Sequence, residues 1–209
     1  FHEPPKVSQS FTLLRRLSRT AVLASPHRQQ LHHYRLPAHY SPGASVLRQI
    51  IWFCCGAPLV SARWLPGSHW RVQLLRLFGA HVGVGCRIKP GFRVKFPWRL
   101  LVGDHCWLGE DVWIDNPAEV RIGQHVCLSQ GVYACTGNHD FRSPGFDLRL
   151  QPISIGDGAW IGAQARLAPG VVVGSDVVVC FGSVVLADVR AGTVVYGNPA
   201  SHPRNRYPI

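Results

Sequence analysis

The amino-acid sequence predicts an all-β solenoid of short strands repeating every six residues, with a helical segment in front and one loop that breaks the rhythm. Three observations carry this. Positions 82, 88 and 94, then 102, 108 and 114, then 122, 128 and 134, then 155, 161, 167, 173, 179 and 185 hold Leu, Ile or Val in fourteen of fifteen cases. Ala134 is the exception, although those three types fill only 53 of 209 positions overall. The following position is Gly seven times, at Gly83, Gly103, Gly109, Gly123, Gly156, Gly162 and Gly174, and smaller residues such as Cys106, Val126, Ala159, Ala165 and Ser183 recur four positions after the aliphatic. Third, the trios are separated by two extra residues, from Val94 to Val102 and from Ile114 to Ile122, with Pro97 or Pro117 three residues after each trio.

A period of six fits no helical stripe at 3.6 residues per turn, but it fits a short strand followed by a tight turn. The aliphatic points inward and the glycine after it supplies the turn dihedral. Three such sides close a coil of 18 residues, or 20 where the proline is added, and stacked coils are stabilised by their neighbours.

In chain order, residues 1–40 are read as a flexible or ill-defined N-terminal segment. Its arginines, serines and single acid also fit a targeting peptide. Residues 41–79 form a helical cap: Val46, Leu47, Ile50, Ile51 and Phe53 precede Gly56-Ala57-Pro58, and a second apolar run from Trp70 to Phe78 ends at Gly79. With Arg48, Arg63, Arg71 and Arg76 nearby, residues 46–78 either cover the open end of the solenoid or make a peripheral membrane contact. The uncharged stretch Gln49–Ala62 is too short for a span. The solenoid occupies 80–191 with a loop at 135–154, and 192–209 form a C-terminal tail.

Charge and cysteine content narrow the function classes. The net charge of +11 divides into +14 for residues 1–103 and −3 for 104–209. A basic front and a mildly acidic back argue against a nucleic-acid binder and for an anionic surface or ligand met by one end. Seven cysteines without any CxxC indicate neither a disulfide framework nor a zinc site, and point to a reducing, cytoplasmic compartment.

The rhythm breaks once, between Ala134 and Ile155. A loop leaving a rigid solenoid is where chemistry tends to sit, and this one carries Thr136-Gly137-Asn138-His139-Asp140. Near pH 7 a neutral imidazole takes a proton readily, so His139 is the candidate general base. His105 and His125, twenty residues apart, occupy one slot in consecutive coils and should stack. Cys135 is read as a turn thiol, not an acyl-carrying nucleophile. Asp115 and Asn116 either bind hydroxyl groups of a substrate or cap the turn before Pro117.

The hexads resemble the left-handed parallel β-helix of the hexapeptide-repeat acyltransferases, and the handedness comes from that resemblance alone. Ile88-Lys89-Pro90, Phe96-Pro97-Trp98, Val102-Gly103-Asp104-His105, the run Leu108–Asp115, Cys127-Leu128-Ser129-Gln130-Gly131, Cys135–Asp140 and Gly197-Asn198-Pro199-Ala200 resemble the colanic acid biosynthesis O-acetyltransferase group over about residues 46–204. The resemblance implies a homotrimer, with active sites between neighbouring solenoids, that moves an acetyl group from acetyl-CoA to a sugar hydroxyl in exopolysaccharide or capsule biosynthesis. His139 falls where the family's catalytic histidine lies. No covalent intermediate and no metal are expected, although related β-helix carbonic anhydrases hold zinc through histidines. Donors near Asn138 and Trp160 would stabilise the oxyanion. Trp160 and Ala163 match positions near the acyl and pantetheine groups. Phe181 stands where the family usually has Ala, before Gly182, and Leu186-Ala187-Asp188 replaces Thr-Lys-Asp, removing a cation for CoA phosphate that Arg204 or Arg206 would replace. The competing expectations are a non-catalytic scaffold docked on a polysaccharide assembly or membrane surface, and N-acylation of an amino sugar.

Overall fold

The computed structural model describes residues 28–207, so most of the N-terminal segment, residues 1–27, lies outside the described residues. Two compact units are present. In the smaller, Leu31–His33 form a single 3-10 turn, the Gln30 N–H donates to the Pro144 carbonyl (2.8 Å), and residues 140–147 are closed by the Asp140 N–H on the Asp147 carbonyl (2.8 Å). The larger unit, from Pro37 to His139 and from Leu148 onward, is the solenoid with its helices.

Each coil lays one short strand on each of three parallel sheets. The first sheet stacks His81–Val82, Leu100–Val102, Val120–Ile122, Ile153–Ile155 and Val172–Val173. The third stacks Arg93–Val94, Trp113–Asp115, Tyr133–Cys135, Arg166–Leu167 and Val184–Val185. The second runs Arg87–Ile88, Trp107–Leu108, Cys127–Leu128, Trp160–Ile161 and Val178–Val179, and then gains Thr193–Gly197 in parallel and Ala200–Asn205 antiparallel to it. The segment read as a tail thus adds two strands to this sheet. All fifteen aliphatic-slot residues are at most 6% exposed, and the slot four residues on fills the same core with Phe92, Cys106, Val112, Val126, Val132 and Val177. Burying each such side chain contributes about 1.5–3 kcal/mol.

The glycines after the aliphatic do not serve the turn dihedral. Left-handed backbone appears two residues later, at Gly85, His105, His125, Gly158 and Asp176 on one corner and at Gly91, Asp111, Gly131, Gln164 and Gly182 on the next. His105 takes φ 56° and Asp111 takes 59°, a conformation that costs an L-residue about 1–2 kcal/mol and is held here by the stacking. Glycine follows the aliphatic because the coils touch there. A Cβ on Gly103 would stand 2.7 Å from the Gln124 nitrogen and 2.7 Å from the Gly123 carbonyl carbon of the next coil. Aspartates complete the corners: Asp104 Oδ1 accepts the Val84 N–H (2.8 Å), Asp157 Oδ1 the Gln124 N–H (2.9 Å) and Asp188 Oδ1 the Val172 N–H (2.8 Å). His105 and His125 stack, with centroids 5.1 Å apart and planes at 20°.

The helical segment begins at α1 (Val46–Ile51), whose N-terminus is capped by Ser45 Oγ accepting the Arg48 N–H (3.3 Å). A wider turn at Trp52–Gly56 leads into α2 (Ala57–Ser61), and α3 (His69–Leu77) follows. Trp52 is buried against Phe78 with ring centroids 5.0 Å apart, and its indole N–H donates to the Lys95 carbonyl (3.0 Å). Gly56 makes room for that indole, since a Cβ there would collide with the ring. Trp52, Val60, Val72, Leu75 and Phe78 join the solenoid core, so this segment closes the first coil. Buried Arg71 holds the link from α2 to α3 by donating to the carbonyls of Val60 (3.0 Å), Ala62 (2.6 Å), Leu65 (2.6 Å) and Gly67, and burial lowers its pKa. Among the described residues no helix is long and apolar enough to cross a membrane.

Candidate active site

After Tyr133–Cys135 the chain leaves the third sheet and forms an antiparallel hairpin, Gly137–His139 against Leu148–Leu150, with His139 opposite Leu148. Its base is fixed to the coil below. The Thr136 N–H donates to the Asp115 carbonyl (3.0 Å), the Gln151 N–H to the Thr136 carbonyl (2.9 Å), and buried Thr136 Oγ1 accepts the Ala118 N–H (2.8 Å). Gly137 lies against Pro117, where a Cβ would approach the ring to 2.9 Å. The proline that lengthens the coil therefore also seats the hairpin. His139 is half-buried, and the exposed Asn138 turns its Oδ1 back to accept the His139 N–H (2.8 Å). That bond fixes the backbone carrying the imidazole.

Asp115 and Asn116 part ways. Asn116 is completely buried: its Oδ1 accepts the Phe96 N–H (2.9 Å), and its Nδ2 donates to the carbonyls of Phe96 (2.8 Å) and Arg99 (3.1 Å). It holds the third corner and cannot meet a sugar, which corrects its assignment to the substrate in favour of the turn-capping alternative. Asp115 keeps its side chain on the third face. Lys95 Nζ lies 3.1 Å from Oδ1, off the line of a hydrogen bond, so this buried oxygen has an ion-pair partner without a hydrogen bond. Its Oδ2 faces the Tyr133 hydroxyl at 3.4 Å and Cys135 Sγ at 3.9 Å. Burial first, then Cys135 and Asp115, push the Tyr133 phenol well above its ordinary pKa, so it stays a donor. Cys135 also donates to the Gly137 carbonyl (3.2 Å), a thiol committed to the hairpin base.

Sequence reasoning missed the column around Asp115. Arg93 lies 4.6 Å over the Trp113 ring, which stacks 4.7 Å from Tyr133, while Lys95, Asp115 and Cys135 form the parallel row. The signal was present, because 93, 113, 133 and 95, 115, 135 repeat the offset of twenty that pairs His105 with His125.

The residues matched to the acyl donor lie elsewhere. Trp160 is half exposed on the second face and donates its indole N–H to Ser129 Oγ (2.9 Å). Ser129 also borders a groove of about 270 Å³ on that face, lined by Arg87, Lys89, Trp107 and Gln130. Ala163 and Gly182 meet at the following corner, where the Gly182 N–H donates to the Ala163 carbonyl (2.9 Å) and Gly182 (φ 68°) opens onto free space. Phe181 protrudes from this corner at 75% exposure and Leu186 is exposed beyond it. Arg204 is exposed over the Tyr196 ring at 5.5 Å, whereas Arg206 is committed to the Gly158 carbonyl (2.9 Å) and Asp176 (3.7 Å). Of the two arginines, Arg204 is the more exposed. His139 and this group stand on different faces, the hairpin leaving the third and Trp160 belonging to the second.

Comparison with known proteins agrees with the solenoid fold. Residues 152–187 match the bacterial transferase hexapeptide (six repeats) family model. The chain is 37% identical over 180 residues to the candidate colanic acid biosynthesis acetyltransferase WcaF of Escherichia coli (strain K12), covering 85% of this chain and 97% of that one. Among solved structures it resembles the hexapeptide-repeat containing acetyltransferase VCA0836 of Vibrio cholerae O1 biovar eltor, complexed with acetyl coenzyme A, with a TM-score of 0.68 at 28% identity over 78% of this chain and 91% of that one. It also resembles a maltose O-acetyltransferase from Clostridium difficile 630, with a TM-score of 0.63 at 25% identity over 77% and 88% of the two chains. With a near full-length relative and a solenoid in common, the chain belongs to the hexapeptide-repeat acetyltransferase family.

Proposed function

We propose that this acetyltransferase moves the acetyl group of acetyl-CoA to a sugar hydroxyl, with His139 as the general base. The observation that carries the reading is the hairpin, the one place where the coil rhythm is abandoned, which presents His139 on a backbone fixed by Asn138 Oδ1 and by the Thr136–Pro117 corner. An acetyl coenzyme A complex in a relative and sugar acetylation in others support the donor and the acceptor class, and WcaF supports a glycan precursor as the acceptor.

In the reaction the imidazole takes the hydroxyl proton as the sugar oxygen attacks the thioester carbonyl carbon. The carbonyl oxygen becomes an oxyanion that the Asn138 amide would receive. The C–S bond then breaks and the imidazolium returns its proton to the CoA sulfur, giving the acetyl ester and free CoA. Asp115, paired with Lys95 through its buried Oδ1, would meet an acceptor hydroxyl through Oδ2, in place of its long contact with the Tyr133 hydroxyl. Trp160, Ala163 and Gly182 would line the pantetheine path, Phe181 and Leu186 flank it, and Arg204 would pair with a CoA phosphate. Because His139 and Trp160 lie on different faces, the reading includes a homotrimer in which neighbouring chains complete each site.

Acetyl transfer to a defined sugar by wild-type and His139→Ala protein tests the base. A loss of at least about a hundredfold in kcat with unchanged acetyl-CoA binding is expected. Wild-type turnover in the variant sinks the assignment. Calorimetry with acetyl-CoA should show binding that weakens about tenfold in Trp160→Ala and Arg204→Ala; unaltered affinity in both would remove this face from the donor site.

A further inference from the structure

The helical segment carries an apolar surface that the core does not use. Residues 46–61 run as one helical rod through α1, the turn Trp52–Gly56 and α2. Only Trp52, Gly56 and Val60 of this rod are buried, a stripe spaced by four residues against the first coil. On the other sides Val46, Leu47, Ile50, Phe53 and Leu59 are exposed, Leu47 at 67%, and Trp64 lies just beyond the rod at 77%. Arg48 is the sole charged residue between positions 46 and 62. A helix that is apolar on every side belongs in a core or against lipid, and a contiguous exposed apolar surface marks an interaction site.

Charge selects the occupant. Residues 37–103 hold nine Arg and Lys and no Asp or Glu. Arg63 is paired with Asp111 and Lys95 with Asp115, Arg71 is buried, and Arg76 and Arg99 donate to the backbone carbonyls of Val82, Gly83 and Ser41, whereas Arg48, Arg87, Lys89 and Arg93 stand exposed. Arg93 and Lys95 share a cleft of about 340 Å³ with Trp52 and Phe53, so these two basic residues adjoin the rod, and Arg48 lies on it. At about 1.5 Å per residue the rod is about 24 Å long, short of the roughly 30 Å hydrocarbon core, and fits along a bilayer surface instead of across it. We infer that residues 46–64 are a docking surface for an anionic lipid membrane: Val46, Leu47, Ile50, Phe53, Leu59 and Trp64 enter the headgroup–acyl boundary, and the surrounding guanidinium groups meet lipid phosphates. The surface is independent of the catalytic assignment, and its consequence is an acetyltransferase held where membrane-borne acceptors are made.

The test is sedimentation of the full chain with vesicles of phosphatidylcholine alone and with 30% phosphatidylglycerol, a composition chosen for the assay at about physiological salt. Binding to the anionic vesicles that weakens at 0.5 M salt is expected, with at least a tenfold loss in the triple variant Leu47→Ser, Ile50→Ser, Phe53→Ser. The charge-reversal variant Arg48→Glu, at the one charged position of the rod, should lose binding in the same direction. Acetyl-CoA binding measured in both variants verifies that the solenoid is folded. No binding to either vesicle, or equal binding to both, overturns the proposal. So does an assembly in solution that the triple variant dissociates, because a second copy would then cover the rod.

Discussion

The walls of the solenoid and the hairpin that leaves it hold their residues by opposite means. A wall residue such as Ile114 has strands on both sides of it in the sheet, pairing with Val94 and Ala134, and is fully buried among the coils. His139 has one antiparallel neighbour, Leu148, and a half-buried side chain. The difference teaches where sequence freedom lies. In the walls almost any change is felt as lost packing, while in the hairpin chemistry can change at small cost to the fold.

The sharpest way to break that contrast is a pair of alanines. Ile114→Ala empties a closed position and should cost about 3 kcal/mol in urea unfolding, within the range of about 2–5 for buried aliphatics. His139→Ala should move the unfolding free energy by less than about 0.5 kcal/mol while removing transfer activity. Similar destabilisation by both would mean that the hairpin belongs to the cooperative core.

A second pair sharpens the comparison within the walls. Gly103→Ala places a methyl group 2.7 Å from backbone atoms of the next coil, which are hydrogen-bonded in turn and cannot retreat. We expect a loss of about 2 kcal/mol, as for overpacking. Two residues on, His105→Gly relieves a φ of 56° but adds chain entropy on unfolding and forfeits the stacking on His125. These terms oppose, so the net change should stay within about 1 kcal/mol. The same thermal or urea unfolding series measures both, and a tolerated Gly103→Ala would mean that the neighbouring coil gives way at this contact and that coil-to-coil approach does not require glycine there.

These two slots also mark where the sequence is readable and where it is not. The period of six, the three-sided coil, the closing helices and the His105–His125 stack follow from spacing, because each depends on regular offsets along the chain. The reason for Gly103 does not, since it lies in atoms of the coil above. Asn116 and Asp115 are adjacent polar residues before a proline, and only the fold shows that one faces inward to Phe96 and the other toward Lys95. The exposure of the 46–61 rod was equally hidden, because apolar periodicity does not reveal which side is covered. Antiparallel pairing of Ala200–Asn205 had no pattern of its own to announce it.

The smallest effect concerns ionisation inside the wall. Burial, reinforced by Cys86 and Asp104 and opposed by the Val126 backbone bond, pushes the Cys106 thiol up to about 11. The unfolded thiol titrates near 8.5, so below that pH both states keep the proton and the wall holds its full stability. Between about 8.5 and 11 the unfolded chain has released the proton while the folded chain retains it, and stability falls as pH rises. The Tyr133 phenol, also raised by burial, extends the loss toward higher pH. Urea unfolding at pH 8 and pH 10.5 should therefore show a drop in wild type that Cys106→Ala reduces. The alanine is tolerable because Ala159 already fills the same slot two coils on. His139→Ala should leave the drop unchanged, its residue lying in the hairpin; an equal drop in wild type and Cys106→Ala would assign the alkaline loss to groups outside this wall position.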